Sequence, residues 1–119
     1  MMHRIYYLAI IFLSVLVSAC TGTADDYYTS GTGSATLIWD LPTQNTDDTT
    51  LDNLARFIIY YGPASGTFAY QVNVEDPVAT TYIVENLRVG ISYRFTITAV
   101  NTSGVESDYS NIVTRTIVE

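Results

Sequence analysis

The chain of 119 residues contains no lysine, one cysteine, one histidine and one tryptophan, and each scarcity removes a class of explanation. A single thiol, Cys20, cannot close an internal disulfide, so the fold has to rest on its core. The one histidine, His3, stands at the extreme N-terminal side. The body of the chain therefore has no means for Ser-His-Asp or Cys-His catalysis, nor for a histidine-bound zinc. Carboxylates remain, but they are scattered through stretches that read as loops, and no enzyme, cofactor or metal is expected. All of the positive charge is arginine, no two arginines are adjacent, and twelve carboxylates oppose them. Without a basic patch to neutralise phosphates, nucleic acid is not an expected partner. Beyond Ala19 there is also no sustained 3.6-residue period, which removes amphipathic helices and leaves β-structure. About 100 residues of such sequence fit one domain, large enough to bury roughly two-thirds of its unfolded surface.

What the N-terminus does have is a long apolar run. His3 and Arg4 give a polar, positive start, and Ile5 to Val17 is then almost continuously apolar, broken only by Ser14. This is the layout of a secretory signal. Wound as a helix, Ile5 to Ala19 would span about 22 Å at ~1.5 Å per residue, short of the ~30 Å hydrocarbon core of a bilayer. A cleavable segment fits better than a permanent membrane span.

The run closes on Leu16-Val17-Ser18-Ala19-Cys20. This pentad resembles the lipobox of bacterial lipoproteins, with an aliphatic residue three before the cysteine and small residues directly before it. The resemblance implies cleavage between Ala19 and Cys20, a diacylglyceryl thioether on Cys20 and acylation of its new amino group. Residues 1–19 are then a signal peptide, and the partner of Cys20 is a membrane. Several acyl chains, at ~0.8 kcal/mol per buried methylene, anchor a protein stably where one chain does not. Thr21 stands where an aspartate marks inner-membrane retention in Gram-negative relatives, so the resemblance points to the bacterial envelope and its outer membrane. The alternative is an ordinary signal cut at the small residues Ser18-Ala19, with Cys20 left as a free thiol.

Residues 20–34 read as the lipidated cysteine and a short tether, rich in Gly, Thr and Ser, in which Tyr27 and Tyr28 offer a weak first strand near residue 27. Seven extended residues reach at most ~25 Å, which keeps the following domain close to the bilayer. From Ala35 to the end at residue 119 the pattern changes to period two. Ala35, Leu37 and Trp39 alternate with polar or outward positions up to Pro42. Phe57 to Tyr61, Tyr70 to Val74, Tyr82 to Val84, Tyr93 to Ala99 and Ile112 to Val118 repeat the signature, with glycine, proline or asparagine between them. The fold class is all-β, an immunoglobulin-like sandwich of about seven strands.

The order and spacing of these residues resemble the fibronectin type III domain. Ala35-x-Leu37-x-Trp39 is similar to its B strand, Phe57-x-Ile59-x-Tyr61-Gly62 to its C strand and Tyr82-x-Val84-x-x-Leu87 to its E strand. Leu87 to Tyr93 is similar to the turn into strand F. The run Tyr93-x-Phe95-x-Ile97-x-Ala99-Val100-Asn101-x-x-Gly104-x-x-Ser107-x-x-Ser110-Asn111 is similar to strand F, the following turn and the start of strand G. Trp39 can then fill the centre of a disulfide-free core, with Leu87 and Tyr93 as further structural residues, and the Tyr93 hydroxyl can bond upstream backbone as a tyrosine corner. Gly90 and Gly104 suit turn positions that need positive φ. Two departures stand out: the first strand is poorly marked, and the connection from Asp40 to Leu54 is long and acidic.

Two stretches are candidates for binding. Asp47, Asp48 and Asp52, with Asn45 and Asn53, supply oxygens of the kind calcium takes, but without the spacing of an EF-hand; a solvated turn with Asx caps explains the same composition. Ile58 and Tyr60 should point outward from the sheet, with Tyr70 joining them, as a candidate ligand surface for an envelope protein or a glycan. Cross-strand packing on an exposed sheet face accounts for the same residues. The expected function is that of a lipid-anchored binding or scaffolding module, with a carbohydrate-binding accessory as the alternative. The sequon Asn101-Thr102-Ser103 is given no role.

Overall fold

The structure, a computed structural model, describes residues 31–118 together with the backbone of residues 13–17. Every regular element among them is a strand: β1 (Leu13–Val17), β2 (Thr32–Trp39), β3 (Leu54–Pro63), β4 (Tyr70–Val74), β5 (Thr81–Arg88), β6 (Ser92–Asn101) and β7 (Val113–Thr116). All neighbours are antiparallel, in one sheet of order β1-β2-β5 and another of order β4-β3-β6-β7.

Period two puts alternate side chains on opposite faces, and the apolar set of each sheet meets the other. Ala35, Leu37 and Trp39 of β2, Phe57 and Ile59 of β3 and Phe95, Ile97 and Ala99 of β6 are at most 2% exposed. Fully burying one such large side chain contributes about 1.5–3 kcal/mol. The Trp39 ring lies 5.4 Å from that of Phe57, tilted by 59°. In β5 the two core residues, Val84 and Leu87, are three apart, which strict alternation would send to opposite faces. Asn86 resolves this with a φ of 59°, and the register against β2 shifts between Gly33 and Ala35. This bulge turns Leu87 back inward, where it is 2% exposed.

The tyrosine corner forms as expected: the Arg88 N–H donates to the Tyr93 hydroxyl at 3.0 Å. Gly90 and Gly104 have φ values of 85° and 79°. The acidic connection before β3 is a small hairpin, with Gln44 bridged to Thr50 and Leu51 N–H donating to Thr43 O at 3.0 Å.

Two boundaries differ from expectation. β2 begins at Thr32, inside the stretch read from sequence as tether, because its first residues pair with Leu87 and Arg88. And Leu13–Val17, in the segment expected as a signal, has its backbone beside β2, with Leu13 opposite Trp39, Val15 opposite Leu37 and Val17 opposite Ala35. The expected weak strand near residue 27, the cleavage point at Ala19 and the lipid attachment at Cys20 lie outside the described residues.

Candidate ligand face

The outer face of the β4-β3-β6-β7 sheet is built from the residues that alternate with the core set. Tyr60 of β3 stands beside Thr96 of β6 and Gln71 of β4, and Ile58 beside Thr98 and Asn73. Alternation alone predicts that this whole row meets solvent. It does not: Ile58 is 7% exposed, and Thr96 and Thr98 are fully buried. The cause is the segment leading into β7. Thr96 donates its hydroxyl to Ser110 O at 3.0 Å, and Thr98 donates to Glu106 Oε1 at 2.6 Å, which holds residues 106–110 against this face.

That segment is fastened by serines. Ser107 N–H donates to Ala99 O at 2.8 Å while Ala99 N–H donates back to Ser107 Oγ at 2.9 Å. Ser110 repeats the exchange with Ile97, at 2.9 Å in each direction. A hydroxyl thus stands in for a backbone carbonyl, and three residues of the segment match two of β6. Between the two serines the chain presents Tyr109, a residue 54% exposed.

Tyr109 meets two other rings. Its centroid is 5.3 Å from that of Tyr60 and 5.7 Å from that of Phe68, the latter edge-on. Phe68 arrives from the turn between β3 and β4, which doubles back over Gly62 so closely that a Cβ there would lie 2.2 Å from Thr67 O. Arg94 donates to Gly66 O in the same turn, and its guanidinium sits 5.0 Å from the Phe68 centroid. The Tyr60 hydroxyl donates to Glu106 Oε1, the oxygen that Thr98 also uses. Partial burial and this carboxylate push the Tyr60 hydroxyl up to about 12 from its usual 10.

The face therefore differs from the expected one in two of three residues. Tyr60 is part of it. Ile58 is covered. Tyr70 belongs to the opposite side: it pairs with Tyr61, cross-strand partners share a face, and the two rings stack at 5.2 Å. Tyr61 packs on to Phe95 at 6.0 Å, and desolvation raises its hydroxyl pKa as well. Tyr109, Phe68, Arg94 and Glu106 are additions. The spacing Ser107-x-x-Ser110 carried a signal for Tyr109, since two pinned serines fix what lies between them. Phe68 is in a turn and gave none.

The structural residues fall where expected, with Trp39, Leu87 and Tyr93 all in the core. At the end of the sandwich the acidic hairpin lines a hollow of about 220 Å³ with Asn45, Asp47, Asp52, Asn53 and Asn101. Asp47 is engaged locally, its Oδ1 accepting from Thr49 N–H at 3.1 Å and from the Thr49 hydroxyl at 2.5 Å. Among the described residues no group of three or more acidic, histidine or cysteine side chains is placed to hold a metal ion. Asn101 is 7% exposed, and its Oδ1 accepts from Ser103 and Val105 N–H at 3.0 and 2.9 Å, so it braces the turn before Gly104.

Two antiparallel sheets, a tyrosine corner and a single buried tryptophan define an immunoglobulin-like sandwich. The sequence model of the fibronectin type III domain matches residues 28–116, and the chain belongs to that family. Solved structures agree on the fold. The FN1-FN3 domains of chicken CNTN1 superpose with a TM-score of 0.69 at 17% identity, covering 96% of this chain and 32% of that one. The third fibronectin III domain of human KIAA0343 protein gives 0.62 at 16% identity, covering 91% and 79%. The twitchin kinase region from C. elegans gives 0.57 at 22% identity, covering 72% and 14%. The chain thus spans about a third of the CNTN1 fragment. A comparison with curated proteins finds no match.

Proposed function

We propose that this protein is a bacterial lipoprotein, anchored through acylated Cys20, whose fibronectin type III module binds an envelope protein through the face around Tyr109. The anchoring half rests on Leu16-Val17-Ser18-Ala19-Cys20 directly after an apolar run. The binding half rests on one observation: a tyrosine 54% exposed, yet fixed by two serines and two neighbouring rings. A rigid aromatic side chain loses little conformational entropy on binding and offers both an apolar face and a polar tip. In-cell cross-linking followed by mass spectrometry tests this. Tyr109→Ala should abolish cross-links to the envelope partner while lowering the melting temperature only slightly, through the lost ring contacts with Tyr60 and Phe68, and unchanged cross-links would refute the face. The intact mass of the membrane-extracted protein reads the anchor, and an unmodified Cys20 refutes it.

A glycan is the second reading, favoured by the exposed amides of Gln71 and Asn73 next to the rings, a combination suited to stacking and hydroxyl recognition of a sugar. Glycan pull-down that is lost in Tyr109→Ala, without protein cross-links, would select it.

A further inference from the structure

Five side chains form one row across the outer face of the β4-β3-β6-β7 sheet. The Arg94 guanidinium sits against the Phe68 ring, Phe68 against Tyr109 and Tyr109 against Tyr60, whose hydroxyl reaches Glu106. Glu106 is held at the level of Thr98, four residues along β6 from Arg94, so the two ends stand about 14 Å apart at ~3.4 Å per residue. The row thus begins on a cation, ends on an anion and has Tyr109 at its middle. Neither end is neutralised within the chain: among the described residues no carboxylate pairs with Arg94 and no arginine with Glu106.

The sandwich repeats this polarity on a larger scale. Arg88 bonds Tyr93 and Arg115 stands opposite it, so both lie with Arg94 at the end where β6 begins. Asp47 and Asp52 belong to the hairpin beside the other end of β6, where Thr102 N–H donates to Asn53 O at 2.8 Å. Glu75 and Asp76 follow Val74, which is level with Phe57 and Ala99 near that same end. Among the described residues Arg56 and Glu85 depart from the pattern.

In a two-fold dimer one patch serves both subunits, so that each residue i meets residue j of the other copy and the reverse. A row with opposite charges at its ends and a ring at its centre complements itself under that operation. Rotation about an axis that passes Tyr109 and runs across the strands lays Arg94 of each copy against Glu106 of the other and brings the two Tyr109 rings together. It also carries the acidic hairpins to opposite ends of the pair, whereas parallel stacking would set like charges side by side. We propose that the face around Tyr109 binds a second copy of this chain, face to face and antiparallel. The pairing rests on the reading of that face as the binding surface and names its occupant. Partly exposed charge pairs fix register and orientation more than they add affinity. Acyl anchors that confine both copies to one membrane supply the effective concentration.

Asp108, exposed beside Tyr109, lies next to the axis, and Asp52, exposed in the hairpin, lies far from it. With Cys20 acylated, an Asp108→Cys chain in native membranes should be linked to a second copy by a short bismaleimide, and an Asp52→Cys chain should not. Arg94→Glu or Glu106→Arg, placed in the Asp108→Cys chain, should each remove the linked dimer. Expressed together, one of them carrying a size tag, the two should regain it as the mixed dimer alone, since each then presents the charge that the other lacks. Melting temperature reports that both variants fold. Should Glu106→Arg melt early, Glu106→Gln, which keeps an acceptor for Tyr60 and Thr98, takes its place and should weaken the dimer by itself. Absence of a link through position 108, equal linking through position 52, a dimer that survives the charge changes, or folded reversals that fail to rescue each other would overturn the pairing. A Tyr109-dependent cross-link to a protein of another mass, with none between copies, keeps the binding face and refutes the second copy; cross-links that Tyr109→Ala leaves unchanged refute both.

Discussion

At Tyr60 a phenol proton is shared with Glu106 on a half-buried face, and the consequence is a pH dependence. The folded chain holds this proton to about 12, whereas the unfolded chain releases it near 10. The contribution is complete below pH 10 and falls as pH rises toward 12, because over that interval the unfolded state binds fewer protons. Denaturant midpoints measured across this range should decline less steeply in Tyr60→Phe than in the parent. Gly62 and Asn86 are backbone cases. Gly62→Ala drives a methyl group into Thr67 O and should cost about 1–3 kcal/mol, displacing the turn that carries Phe68. Asn86→Gly should instead raise stability by roughly 1 kcal/mol, since its φ of 59° places a Cβ in the left-handed region. Urea unfolding of both variants checks the two signs.

At the scale of the element, the strands were legible wherever apolar and polar residues alternate. β4 runs from Tyr70 to Val74, as the sequence pattern predicts, and β3 and β6 extend the predicted runs by a few residues at their ends. Which face Tyr70 joins was not legible. Alternation defines two faces of a strand, and only the register with β3, a non-local property set by the intervening turn, says which one meets Tyr61. Ile58 misled for a related reason: its row is outward by alternation, but the segment from Glu106 to Ser110 closes over it. The bulge in β5 was readable in principle from Val84-x-x-Leu87, whose spacing of three breaks the strand period of two. The serine segment yields its own prediction. Ser107→Ala strands the buried N–H of Ala99 and should cost about 1–3 kcal/mol, while Asp108→Ala, one residue on and exposed, should change little. Thermal melting of the pair separates the hydroxyl from the mere truncation.

For the molecule as a whole, one core between two sheets carries the stability, and one thiol cannot contribute a cross-link within a chain. A reducing agent should therefore leave the melting temperature of the monomeric chain unchanged; a drop would reveal a bond between copies. The core was foreseen as a set because Trp39, Leu87 and Tyr93 each sat in a motif with a mechanical reason, whereas the binding face depends on a turn and a loop whose positions no local pattern states. The seam between β6 and the segment before β7 has a wider consequence. Backbone hydrogen bonds are the same for every residue but proline, so heredity has little means to edit them one at a time. Here hydroxyls do the fastening, and each is a single codon away from absence, which makes this border the part of the sheet that evolution can loosen or tighten in discrete steps while the rest of the weave stays intact.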